Sequence, residues 1–207
     1  MPKFIFSVLA LALWASSCCP TCDKGDLGDF PLQVESVNWL SYADGSSRIY
    51  RGSDGQIVTG IYTFLEQGQE ALLENCEEVG DCGLCCNNFR GNTAFTRLSS
   101  GTGNLNWDIT LRKDFINQSV NDSLDVYSDQ LTLTLNGVIT CNVFDVPNTR
   151  FNRTVVLNGK TFSEVLACEA SNGQLPSQAQ GVEAFFFSSD QGVVGWRRSD
   201  GVTYALD

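Results

Sequence analysis

Six Asn-Gly or Asp-Gly pairs punctuate this chain, at Asp44-Gly45, Asp54-Gly55, Asn136-Gly137, Asn158-Gly159, Asn172-Gly173 and Asp200-Gly201. Such pairs accept the positive φ values of a tight hairpin turn at little steric cost, and the signal is strongest where alternating apolar runs flank them. Leu131, Leu133 and Leu135 alternate with Thr132 and Thr134 before Asn136-Gly137, and Ile139, Cys141 and Val143 share a face after it. A second hairpin is predicted from Thr154-Val155-Val156-Leu157 through Asn158-Gly159 to Thr161-Phe162 and on towards Cys168. The C-terminal segment repeats the theme, with Ala184 to Phe187, Gly192 to Trp196, then Asp200-Gly201 and Val202 to Leu206. Consecutive hairpins make an antiparallel meander.

The expected fold is therefore all-β, a meander of about ten strands forming a sandwich or a barrel, which alternation alone does not distinguish. One short helix is predicted over residues 69–79, where Leu72, Cys76 and Val79 stand at helical spacing with Gly80 just past the end. A cysteine-rich loop follows it. Trp39, Tyr50, Tyr62, Phe64, Phe185 and Trp196 are read as core.

The chain opens with Met1-Pro2-Lys3, an apolar run from Phe4 to Trp14, then Ala15-Ser16-Ser17-Cys18. One cation, a short apolar stretch and small residues are the parts of an export signal. The apolar run is shorter than the about 20 residues of helix that cross a bilayer, and no later stretch replaces it. Ala15-Ser16-Ser17-Cys18 resembles a bacterial lipobox, although Ala15 stands where Leu is usual. That resemblance implies diacylation of Cys18 through sulfur, with Cys19 the poorer acceptor. Two or three acyl chains, each methylene worth about 0.8 kcal/mol, hold a protein on a membrane where one chain does not. The expected organisation is a lipoprotein signal over residues 1–17, a tether over 18–29 and one disulfide-bonded β-domain over 30–207.

Removing residues 1–17, whose only charge is Lys3, leaves 190 residues and takes the net charge from −11 to −12. That balance repels nucleic acid and anionic headgroups. The chain has no histidine. Ser-His-Asp and Cys-His catalysis, His-ligated zinc and a histidine pH switch all need imidazole, so this chain cannot run them alone.

With Cys18 acylated, eight cysteines remain. An even number in an exported chain reads as disulfides, and Cys76, Cys82, Cys85, Cys86, Cys141 and Cys168 are the candidates, with Cys19 and Cys22 near the start. The cluster cysteines are expected to pair with one another or with Cys141 and Cys168, which fall on predicted strands. Cys82-Gly83-Leu84-Cys85 is formally a CxxC motif but lacks the strand and helix of a thioredoxin-like unit. A four-thiolate zinc site fits the spacing of Cys76, Cys82, Cys85 and Cys86, yet an oxidising compartment favours disulfides. Asp23, Asp26 and Asp29 are read as a solvated tether and not as a calcium loop, which needs more oxygen ligands. Three Asn-x-Ser/Thr sequons begin at Asn117, Asn121 and Asn152 and matter only in a eukaryotic host. Asp122-Ser123-Leu124 resembles a Bacteroidota O-glycosylation acceptor.

Phe30-Pro31-Leu32 followed by Trp39 and Tyr42, and Phe185-Phe186-Phe187 followed by Gly192-Val193-Val194, resemble the opening and the aromatic strand of uncharacterised Bacteroidota cell-envelope lipoproteins. Glu35 stands where those openings carry Gly. The resemblance implies a surface or periplasmic β-protein and carries no activity. The expectation is a non-catalytic lipoprotein lipid-anchored at the outer membrane, binding an envelope protein or glycan or serving a structural role, with no cofactor and no metal. The alternatives are a β-barrel carrier of an apolar ligand and a CxxC thiol-disulfide oxidoreductase.

Overall fold

A computed structural model describes residues 26–40, 45–78, 84–101, 105–116, 126–170 and 181–207. Twelve strands are present among them: β1 (Asp26–Phe30), β2 (Ser47–Gly52), β3 (Ile57–Glu78), β4 (Leu84–Ser100), β5 (Asn106–Ile116), β6 (Val126–Leu135), β7 (Ile139–Val143), β8 (Arg153–Leu157), β9 (Lys160–Glu169), β10 (Val182–Ser188), β11 (Gly192–Arg198) and β12 (Thr203–Leu206). They form one sheet in the order β7-β6-β5-β4-β3-β2-β12-β11-β10-β9-β8, with β1 paired to β4. The backbone groups into two compact units, residues 1–29 with 71–90 and residues 30–70 with 91–207, and β3 and β4 run through both. In the smaller unit Arg90 meets Asp29 at 2.6 Å, both exposed. β1 thus occupies the end of the segment read as tether.

The turn chemistry explains the hairpins of the larger unit. Asn136 and Gly137 hold φ values of 50° and 69°, and Asn158 and Gly159 hold 47° and 77°. These left-handed pairs match the twist of the flanking strands. They set Leu135 opposite Ile139 and Leu157 opposite Lys160. The all-β meander is as expected. The helix over residues 69–79 is not: that stretch lies on β3 up to Glu78, and the short helix is α1 (Val34–Val37) instead. Pairing of β3 with β4 overrides the helical spacing, since an i, i+4 pair such as Leu72 and Cys76 also shares one strand face. Likewise Cys76, expected on the helix, sits on β3, and Cys85 and Cys86, expected in the loop, begin β4.

The inner face of the larger unit is apolar by strict alternation. Trp107, Ile109 and Leu111 on β5 register with Leu135, Leu133 and Leu131 on β6, all buried. The sheet curls into a half-barrel, so that Trp107 on β5 reaches Trp196 on β11 with ring centroids 5.0 Å apart. Trp196 also stacks on Tyr204 at 4.7 Å and packs on Tyr50 at 4.9 Å. Tyr50 donates to the Val193 carbonyl at 2.8 Å, and the Tyr62 hydroxyl accepts the Val193 N–H at 3.2 Å. The two hydroxyls thereby satisfy a buried stretch of β11 backbone. Trp39, Tyr50, Tyr62, Phe185 and Trp196 are core as expected, and the Phe64 side chain lies outside the described residues.

The inner rows of β5 and β6 end on a charged pair, Lys113 opposite Asp129. The segment from Gln33 to Leu40 lies over this side of the core, with the Gln33 N–H donating to Asp129 Oδ2 at 2.8 Å and Trp39 packing edge-on against Phe151 at 5.4 Å.

Strands β10 to β12 are buried on both faces, which is why residues 184–187 read as a continuous apolar run instead of an alternating one. Phe185 and Phe187 face the inner core, while Ala184, Phe186, Val194 and Ala205 pack with Leu157 and Val165 of the β8–β9 hairpin. Register shifts between Arg153 and Val155 where β8 pairs with β9, and Glu164 there holds φ 54°. A bulge of this kind bends its strand. It lets β9 pair with β10 from Val165 onward while its first half turns with β8 over the outer face. Asn158 Nδ2 then donates to the Arg51 carbonyl at 3.2 Å and Lys160 Nζ to the Leu206 carbonyl at 3.0 Å. Gly195 fits beneath because it lacks a side chain: a Cβ there would meet the Tyr204 carbonyl oxygen at 2.2 Å.

Candidate functional site

The residues singled out from the sequence separate into three groups. Cys18, Cys19, Cys22 and Cys82 lie outside the described residues, as do Asn117, Asn121 and the Asp122-Ser123-Leu124 stretch. Cys76, Cys85 and Cys86 are placed on strands as described above. Cys141 and Cys168 form a disulfide with each other, their Cα atoms 5.6 Å apart.

That bond joins β7, at one end of the strand order, to β9, near the other. β8 pairs with the first half of β9, up to Val165, and among the described residues the rest of β9 has no ladder partner on that edge. β7 approaches it there, and the disulfide spans the seam where ladder hydrogen bonds do not. Cys168 is fully buried and Cys141 partly so. A structural, seam-closing role follows from this position.

A polar cleft opens where β9 bends. Thr161, Phe162, Ser163 and Glu164 form one wall, and Ser188, Asp190, Gln191 and Val194 of the β10–β11 hairpin form the other, around about 140 Å³. The bulge sets the direction of Glu164, whose neighbours would otherwise continue the alternation of β9. Ser188 is buried and donates its hydroxyl to Asp190 Oδ1. Two carboxylates, several hydroxyls and the Gln191 amide therefore line a small, mainly polar volume, with Phe162 and Val194 beside them. Such a set accepts hydrogen bonds from hydroxyl or amine groups. Nothing in the sequence marked Glu164 or Asp190, because their approach depends on a bend at a residue type that rarely takes positive φ.

A second surface lies on β2 and β3. Ile49 stands opposite Thr59 and diagonal to Ile57 and Ile61, and these three isoleucines are 44%, 54% and 46% exposed. They form an apolar strip on the outer face just beyond the part covered by the β8–β9 hairpin. Arg51, bound to Asp207 at 2.8 Å, separates the strip from that cover.

No family model, curated protein or solved structure matches the chain. Fold and site define a class on their own: an all-β protein whose curled antiparallel sheet is closed by a disulfide and carries a small polar cleft on its outer side.

Proposed function

We propose that this chain is a non-catalytic lipoprotein of the bacterial cell envelope, anchored at the outer membrane through acylated Cys18, whose folded part binds a hydroxyl-rich ligand such as an envelope glycan. The cleft between the β9 bend and the β10–β11 hairpin carries this reading. It gathers the hydrogen-bonding carboxylates, hydroxyls and amide that recognise a hydroxyl-rich ligand. The anchor rests on the sequence of residues 1–18, and the binding role is favoured over catalysis by the lack of histidine. The apolar-carrier alternative is disfavoured because Trp107, Trp196, Tyr50 and Tyr204 fill the inner face where a ligand would sit. For the oxidoreductase alternative, Cys85 begins a long strand, whereas a catalytic dithiol opens a helix. A second reading, docking of an envelope protein, is favoured by the Ile49, Ile57 and Ile61 strip.

Titration of the full chain with mono- and oligosaccharides, followed by NMR shifts or calorimetry, tests the reading. Glu164→Gln and Asp190→Asn each remove a charge-assisted hydrogen bond, and we expect binding to weaken about tenfold in each. Absence of saturable saccharide binding, or binding indifferent to both substitutions, would overturn the cleft assignment.

A further inference from the structure

We propose that Lys113 and Asp129 condense to form an intramolecular amide joining β5 to β6. The two residues are direct cross-strand partners and both point inward, Lys113 at 5% and Asp129 at 0% exposure. Nζ lies 2.5 Å from Oδ1, an ion pair at contact distance whose angles are not those of an aligned hydrogen bond. The other oxygen, Oδ2, is held by the Gln33 N–H at 2.8 Å. The inner rows that lead to the pair are Leu111 and Leu131, both fully buried.

Each feature favours condensation. Two charges withdrawn from water are costly unless geometry and hydrogen bonding compensate, and here the ammonium meets Oδ1 without hydrogen-bond alignment. Transfer of a proton from the ammonium to the carboxylate gives an amine and a carboxylic acid side by side. The Nζ lone pair then attacks Cγ. Negative charge develops on Oδ2, where the Gln33 N–H already points, in the manner of an oxyanion-stabilising donor. The Nζ–Cγ bond forms, the Cγ–Oδ1 bond breaks, and Oδ1 leaves as water with two protons that began on the ammonium. Ammonium plus carboxylate thus gives amide plus water, with no oxidation and no co-reactant. Strand pairing presents the two groups in fixed register, which replaces a bimolecular encounter by an intramolecular one. The product is neutral, so it also removes two buried charges. The sheet would then carry a cross-link that reductant does not cleave, alongside the disulfide at its seam.

Peptide mapping of the full, reduced and alkylated chain reads the bond directly. Trypsin cuts after Arg112, after free Lys113 and after Arg150, and between Lys113 and Arg150 there is no other Lys or Arg. With the amide formed, Lys113 is blocked, and the expected peptide is residues 113–150, lighter than its linear sequence by one water and giving no backbone fragments between positions 113 and 129. Lys113→Arg and Asp129→Ala abolish the cross-link. Asp129→Asn restores it, because loss of ammonia from the asparagine gives the identical product, and this variant serves even if Lys113→Arg does not fold. Residues 114–150 as the sole wild-type product, or residues 113–150 at full linear mass, overturn the proposal.

Discussion

Glu164 holds a left-handed backbone at the point where β9 leaves the sheet, and no glycine or asparagine relieves the strain there. A side chain in this conformation costs roughly 1 to 2 kcal/mol, and a β-branched one more, because both γ atoms crowd the backbone. Glu164→Val should therefore lower stability by about 1 to 2 kcal/mol in denaturant unfolding, while Glu164→Gly leaves it unchanged or raises it. Equal losses in both variants would mean that the carboxylate matters and the backbone does not. Tyr62 sets a second residue-scale expectation. Burial pushes its hydroxyl up to about 12 from 10.0, the Val193 hydrogen bond and Arg48 opposing the rise only in part. The folded state therefore keeps this proton where the unfolded state has lost it. Stability is fully present below pH 10 and falls as pH rises from about 10 to 12, by roughly 2 to 3 kcal/mol in all. Alkaline unfolding should show that decline, and Tyr62→Phe should flatten it. A decline of the same size in the phenylalanine variant would assign it to other groups.

Hairpins were the most legible elements, because Asn136-Gly137 and Asn158-Gly159 carry their conformation in the residue types themselves. Strands β3 and β4 were less so. Residues 67–78 are rich in Gln, Glu, Ala and Leu, which favour helix locally, and only the partner strand decides otherwise. The fold-over of β8 and β9 was not legible at all, since it depends on a bulge at a glutamate and on the missing side chain of Gly195 beneath it. Half of the cleft was hidden for the same reason, and its other wall lies on a hairpin that was predicted without its residues being marked. The Cys141–Cys168 pairing needed the curl of the sheet, which brings the first and the penultimate strand of the order together. The bond links residues 27 apart in sequence, a loop whose closure in the unfolded chain is worth about 3 to 4 kcal/mol. Replacing both cysteines by serine should cost that much in denaturant unfolding, and exchange protection should fall first in β7. A loss below 1 kcal/mol would show that packing alone closes the seam.

On the scale of the whole molecule, the larger unit has a core filled by tryptophan and tyrosine rings, a disulfide across its seam and a polar cleft on its outer side. Its sheet is therefore a rigid platform that presents a surface, and the proposed envelope role asks for little more than attachment. Acylation of Cys18 would supply that attachment through lipid, with the strongly acidic chain itself repelled from anionic headgroups. The most direct test is the mass of the mature N-terminal peptide from the full chain expressed in a bacterium with a lipoprotein pathway. The account predicts a peptide beginning at Cys18 and heavier by a thioether-linked diacylglycerol, with the protein in the detergent phase and Cys18→Ala abolishing both. A mature chain carrying no lipid at its N-terminus would contradict it.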